Sequence, residues 1–338
     1  MKNRILYIGN NLESKTNYTT TLETLSSFLE NEGYTVFKSS SKINKILRMI
    51  DMIYAVISKR KKIGIILIDT YSTSNFYYAF IISQIARFLK KKYIPILHGG
   101  NLPLRLEKSK TISKLIFNYS YKNIAPSNYL KENFEREGFS VHFIPNTVPI
   151  KEYDFKKREE FYPNLLYVRS LSSIYNPKMA INVLNKLKEN HPKAKLCFVG
   201  PDKENQRKIL KDYINELKLE ESIEFTGVLT KKAWHRKSKN FDIFINTTNI
   251  DNTPISVLEA MALGLPVVST NVGGLPYLIE NNKDGILVAK DDFESMCQEI
   301  EKLISNPQKA QEISVKARMK VEKYDWSIVK NDWLKILN

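Results

Sequence analysis

Long apolar runs are missing from this chain. No stretch of its 338 residues reaches the roughly 18 apolar residues that a membrane-spanning helix needs. The start, Met-Lys-Asn-Arg-Ile-Leu-Tyr-Ile-Gly, lacks the apolar core and cleavage site of a signal peptide and reads as a first strand. Cysteine is scarce: Cys197 sits in a strand-like apolar run and Cys297 in a helical pattern. Two such residues suit buried thiols in a reducing cytoplasm rather than a disulfide framework or a metal site. Acidic residues are also few, 36 against 52 Lys and Arg, for a net charge of +16. The deficit is uneven. Residues 1–155 hold 23 Lys and Arg against 12 Asp and Glu, a net of +11, and the remainder carries +5. A basic half asks for an anionic partner, such as membrane headgroups, a polyprenyl diphosphate or nucleic acid. The basic stripe interleaved with aromatics that marks nucleic-acid binders is absent; the lysines are scattered. There is no internal repeat, no low-complexity tract, and no Asp-x-Asp in a strand context to carry a metal.

What is present is an alternation of strands and helices, twice over. In the first half, strands are expected at 5–9, 34–38, 63–69, 93–97, 124–125 and 142–144, with helices at 20–33, 75–90 and 127–138. The second half restarts with a strand at 165–169 and continues through a helix at 177–190 and strands at 195–199 and 223–225. This pattern predicts two doubly wound parallel sheets, and the length suits two domains. A charged stretch of low apolar content, 151–163, suits a linker, and 324–338 is amphipathic.

The most informative segment runs from Asp251 to Gly274. After an apolar strand at 241–246, Asn252 or Thr253 can cap a helix and Pro254 suits its first turn. The helix continues over 255–263, Gly264 stops it, and 265–269 reads as a strand buried on both faces. Such a unit leaves the helix N-terminus at the carboxyl edge of the sheet. There the N–H groups of Ile255, Ser256 and Val257 would face an anion. Glu259, about one turn on, can accept two hydrogen bonds from a vicinal diol such as a ribose.

This segment resembles the donor-binding stretch of the family-4 retaining glycosyltransferases, which have the GT-B fold. Their pattern is Glu-Gly-x-Pro, three residues, Leu-Glu-Ala-Met-Ala, then Gly-x-Pro-Val-Val and a Gly-Gly turn. Pro254, Leu258, Glu259, Ala260, Met261, Ala262, Gly264, Pro266, Val267, Val268, Gly273 and Gly274 match it. Asp251 stands at the first Glu, one methylene shorter, and Asn252 replaces the Gly. The resemblance covers the second half well and the first half loosely.

The resemblance implies two Rossmann-like domains facing a cleft. These are an acceptor-side domain, 1–155, and a nucleotide-sugar domain, 156–323, with a terminal helix, 324–338, crossing back to the first. It implies a retaining, metal-independent transferase that takes a UDP- or GDP-linked sugar and needs no cofactor. The acceptor would be a glycan or lipid-linked glycan of bacterial surface polysaccharide. The scarce cysteines suit the cytoplasm, peripheral attachment to the inner face of the membrane through 42–62 is an option, and no nucleic acid is expected as partner. Arg169, ending a strand as the family Arg does, would hold the donor diphosphate with Ile255, Ser256 and Val257. The family Lys that follows is missing near Tyr175, and Lys178 is the nearest substitute. Asp251 would hold sugar hydroxyls, Glu259 the ribose, and the Gly227-Val228 loop the base. His98, followed by two glycines that permit close approach of a ligand, would serve the acceptor side. The loop with Gly9, Asn10, Lys15 and Thr16 would cover the phosphates or the acceptor. Two other readings stay open: a GT-B sugar-nucleotide epimerase and a basic nucleic-acid-binding protein.

Residues 42–62 remain. Ile43, Ile46, Leu47, Ile50, Ile53, Tyr54 and Ile57 share one helical face, flanked by Lys45, Arg48 and the run 59–62. The pattern fits first a core-packing helix with a solvated basic end, and second a helix lying on anionic lipid.

Overall fold

The computed structural model describes residues 3–11 and 20–338; Lys15 and Thr16 lie outside them. The chain divides into two units, residues 1–147 with Trp326–Asn338, and Val148–Asp325.

Unit 1 comprises β1 (Arg4–Ile8), α1 (Thr21–Asn31), β2 (Thr35–Ser39), α2 (Lys45–Lys59), β3 (Ile65–Thr70), α3 (Asn75–Phe88) and β4 (Lys92–Leu97). It continues with α4 (Leu102–Lys108), α5 (Lys110–Phe117), β5 (Ile124–Ala125), α6 (Asn128–Arg136) and β6 (His142–Phe143). Its strands run parallel in the order β2-β1-β3-β4-β5-β6. Alternation along β1 shows why helices cover both faces. Leu6 and Ile8 belong to one apolar core, Ile5 and Tyr7 to the other.

Unit 2 comprises β7 (Asn164–Val168), α7 (Pro177–Leu187), β8 (Lys195–Val199), α8 (Gln206–Glu216), β9 (Ile223–Gly227), α9 (Lys231–Ser238) and β10 (Ile243–Asn246). Then come α10 (Ile255–Ala262), β11 (Val267–Thr270), α11 (Leu275–Leu278), β12 (Ile286–Val288), α12 (Phe293–Ser305) and α13 (Pro307–Glu322). The strands, again parallel, are ordered β12-β11-β10-β7-β8-β9. Leu165 and Tyr167 of β7 face one core and Leu166 the other. The last helix, α14 (Trp326–Leu337), returns to unit 1. Its Trp326 stacks on Phe28 at 4.9 Å and donates to Glu32 at 3.1 Å.

Two expectations need correction. Residues 151–163 are not a free linker. Tyr153 and Phe161 are buried in the cores of unit 2. Buried Arg158 donates to the carbonyls of Phe241 (2.9 Å), Gly264 (2.8 Å), Lys156 (3.1 Å) and Ser238 (3.2 Å). These bonds leave no periodic trace in a sequence, and the unit boundary accordingly falls at Thr147/Val148. The second correction concerns α2. It buries Arg48, Met52, Ala55 and Val56, while the apolar stripe expected to pack inward faces outward.

Cys197 and Cys297 are free and buried, with thiols pushed up by burial to about 12 and about 11. No helix among the described residues is long and apolar enough to cross a membrane.

Candidate active site

In unit 2 the connections from β7 and β10 run to opposite sides, so the strand order reverses between them. Open α/β sheets take ligands at the carboxyl end of such a switch point. Arg169 follows β7 and Asp251 lies in the loop after β10. Their side chains pair there, guanidinium Nη2 to carboxylate Oδ2. The ring of Tyr175 lies 4.4 Å from the guanidinium carbon. Burial opposes the charge on Arg169, but Asp251 and the neighbouring tyrosines outweigh it and leave its pKa raised. Its Nε is buried with no hydrogen-bond partner among the described residues. The cation is thus permanent, oriented and incompletely bonded.

The loop carrying Asp251 is tied down on two sides. Thr247 Oγ1 donates to the carbonyls of Tyr175 (3.1 Å) and Asn176 (2.8 Å), and the Asn249 N–H donates to Ile174 O (2.8 Å). Thr270, ending β11, donates to Thr248 O at 2.6 Å. The turn after β11 then touches the loop directly. Gly274 N–H donates to Asp251 O at 3.0 Å. A Cβ on Gly273 would fall 2.1 Å from Asp251 O, and one on Gly274 would fall 1.8 Å from Asn252 O. The glycine pair is there because two backbones meet.

Helix α10 begins at Ile255, with the cap position on extended Pro254 rather than on Asn252 or Thr253. One expected anion donor is lost: the Val257 N–H already donates to Pro254 O at 3.1 Å. Ile255 and Ser256 open the helix beside the Asp251 loop.

Glu259 points into unit 2 and is only 5% exposed. The Tyr153 hydroxyl donates to Oε1 at 2.7 Å, and Lys231 Nζ lies 3.2 Å from the same oxygen. Both of these contacts fall on Oε1. Burial raises the Glu259 pKa, while Lys231 and Tyr153 pull it partly back. The Tyr153 ring packs on His235 at 4.5 Å, and burial, then Lys231, lowers that imidazole to about 4, so it stays neutral.

Gly227 and Val228 end the strand two places from Arg169. The Arg169 N–H donates to Val199 O (3.0 Å) and the Gly200 N–H to Gly227 O (2.9 Å), which sets three strand ends side by side. Val228 is exposed there. Lys178 does not fill the missing lysine's place; its ammonium sits 4.3 Å from the Tyr213 ring.

His98, Gly9 and Asn10 belong to unit 1, whose order reverses between β1 and β3. His98 and Gly9 meet at Asp69, the next-to-last residue of β3, and Asn10 follows Gly9 in the chain. Asp69 Oδ1 accepts from Tyr7 OH at 2.9 Å and lies 2.9 Å from His98 Nε2. An ionised carboxylate only accepts, so Nε2 is the donor toward Asp69. Tyr71 stacks on the imidazole at 4.9 Å. A Cβ on Gly9 would fall 2.4 Å from Asp69 Oδ2. Asn10 Oδ1 accepts from Arg48 at 2.9 Å.

Sequence reasoning missed Tyr153, Lys231 and His235 around Glu259, and Tyr7 and Asp69 around His98. Only Asp69 carried a signal, as the lone acid closing an apolar run. Among the described residues, no group of three His, Cys, Asp or Glu could hold a metal ion.

The family of glycosyl transferases group 1 matches residues 150–320. The chain belongs to that family. It is 28% identical over 208 residues to an uncharacterized glycosyltransferase of Haemophilus influenzae, covering 61% of this chain and 57% of the relative. To the amylovoran biosynthesis glycosyltransferase AmsK of Erwinia amylovora it is 26% identical over 250 residues, 70% of this chain and 61% of that one. The chain thus spans less than two thirds of either relative's length. The crystal structure of Anabaena HepE in complex with UDP-glucose aligns with a TM-score of 0.78 at 17% identity, covering 99% of each chain. With two doubly wound parallel-sheet units, the chain has the GT-B fold.

Proposed function

We propose that the protein is a retaining glycosyltransferase of the family-4 type. It moves a sugar from a nucleoside diphosphate sugar, UDP- or GDP-linked, to a glycan or lipid-linked glycan in bacterial surface polysaccharide synthesis. The observation that carries this reading is the pairing of Arg169 with Asp251 at the switch point, followed in the chain by the start of α10, the helix that holds buried Glu259. The relatedness to AmsK, named for amylovoran biosynthesis, supports the polysaccharide setting.

In this reading Arg169 and the Ile255 and Ser256 N–H groups meet the charge that grows on the diphosphate as the glycosidic bond breaks. Glu259 Oε2 accepts from the ribose diol, its other oxygen being held by Tyr153 and Lys231. Asp251 accepts from sugar hydroxyls, and Gly227 and Val228 border the base. The acceptor hydroxyl attacks from the face the diphosphate leaves, and its proton passes to the departing phosphate oxygen. His98, its Nε2 held by Asp69, serves the acceptor, and Gly9 and Asn10 lie in the adjoining loop.

Thermal-shift titration with UDP-, GDP- and ADP-sugars tests the reading, with Glu259→Ala as control. One nucleotide is expected to stabilise the wild type. The variant, still folded, is expected to lose that shift and transfer. Near-normal activity of Glu259→Ala would overturn the site, and donor turnover without any acceptor would overturn transfer in favour of epimerisation.

The pH dependence follows from the same carboxylate. Glu259 must be ionised to accept two hydrogen bonds, and its pKa lies above the ordinary value. The acid limb of donor affinity is therefore expected above the usual glutamate range. Removing a cation raises a carboxyl pKa further, so Lys231→Met should move that limb to higher pH. Donor titrations across the acid range would show it; a limb that stays put would mean Lys231 does not tune Glu259.

A further inference from the structure

Among the described residues, the apolar stripe that runs from Ile43 into α2 has no partner. Ile43, Ile46, Leu47, Ile50, Tyr54 and Ile57 are between 44% and 72% exposed. The helix is not loosely attached. Its other face buries Met52, Ala55 and Val56. Arg48 reaches inward to Lys42 O (2.7 Å), Ile43 O (3.2 Å) and Asn10 Oδ1 (2.9 Å). The Tyr78 hydroxyl of α3 donates to Lys45 O at 3.1 Å. Tyr77 of α3 extends the exposed surface beside Ile46 and Ile50. The charge around the stripe is of one sign. Exposed Lys42 and Lys45 stand at one end and Arg60, Lys61 and Lys62 at the other, while Asp51, the lone acid of 42–62, is occupied with Ser39.

A fixed helix with an outward apolar stripe between two cationic ends has the chemistry of a surface that lies in the interface of an anionic bilayer. We propose that α2 docks unit 1 on anionic lipid, with the isoleucines in the acyl boundary and the terminal cations on headgroup phosphates. The charge at both ends favours lipid over a second copy of the chain, which would bring like charges together. The proposal does not depend on sugar transfer, and its test does not use activity.

The test is flotation of the full chain with phosphatidylcholine vesicles, with and without phosphatidylglycerol. Binding is expected only where phosphatidylglycerol is present. The triple variant Arg60→Glu, Lys61→Glu, Lys62→Glu should weaken it by at least about a hundredfold, because each cation near an anionic surface is worth roughly fivefold. Ile46→Asp with Ile50→Asp should abolish it. Both variants alter exposed residues, so unchanged thermal unfolding is expected and serves as the folding control. Equal binding to both vesicle types would overturn the electrostatic part. Absence of binding, or a wild-type dimer that Ile50→Asp converts to monomer, would overturn the proposal.

Discussion

Arg169→Ala is expected to lower kcat/KM for the sugar donor by about a hundredfold to a thousandfold, the range seen when a preorganised group facing a developing oxyanion is removed. Two effects add. The variant loses the guanidinium that Tyr175 and Asp251 hold at the end of β7. It also leaves the Asp251 carboxylate unpaired where a diphosphate must approach, so donor affinity should fall along with turnover. Arg169→Lys keeps the charge but not the planar fork or the stacking on Tyr175, and should recover only part of the loss. Arg169→Ala with Asp251→Asn separates the effects: repulsion is relieved and KM improves, while kcat stays low. The pair is partly solvated, so the stability cost should fall below the roughly 3–5 kcal/mol of breaking a fully buried pair. Steady-state kinetics with a thermal unfolding curve for each variant would decide it. Activity within a few-fold of wild type would remove Arg169 from the diphosphate site.

Gly274→Ala should be nearly as damaging, for a different reason. The backbone φ at Gly274 is −86°, open to any residue, so its glycine is not required by conformation. What excludes a side chain is space: the added Cβ would lie 1.8 Å from Asn252 O and 2.7 Å from its carbonyl carbon, and both are backbone atoms. The turn and the loop must separate, and the Gly274 N–H to Asp251 O bond breaks. Overpacking of this kind costs about 1–3 kcal/mol. A shift of about 1 Å in the groups that align a substrate costs on the order of a hundredfold in rate. Gly138→Ala is the control. Gly138 has φ +85° with nothing within 4 Å of an added Cβ, so it should lose about 1 kcal/mol of stability and no activity. A Gly274→Ala enzyme with full activity would show that the turn does not position Asp251.

Much of this was readable before any coordinates. The β10–α10–β11 unit announces itself through a continuous apolar run, a Pro-started helix of small residues and a glycine stop, and it folds as read to within a few residues. The polar helices α8, α9 and α13 leave no clear signal, and α12 shows one only around Cys297. Each presents a thin apolar stripe diluted by Lys and Glu, which resembles loop composition. Residues 151–163 looked like a linker because their attachment runs through Arg158 and backbone carbonyls. For α2 the periodicity was right and its direction wrong. A 3.6-residue repeat marks a face, and nothing in it says whether that face meets a sheet or the outside.

Two parallel sheets follow from the apolar pattern of the sequence alone. Apolar runs of strand length alternating with helices have few other ways to bury both faces. The same pattern sets an acid, a helix start, a second acid and a glycine pair one after another at a sheet edge. The partners come from the packing of the whole fold. It set β7 beside β10, joined Arg169 to Asp251 across 82 positions, and placed Tyr153 on Glu259 across 106. The physical reason is that local patterning specifies how much of a segment is buried and on which side. Strand order, and with it the neighbours of every buried charge, is settled by long-range packing that no short window of sequence contains.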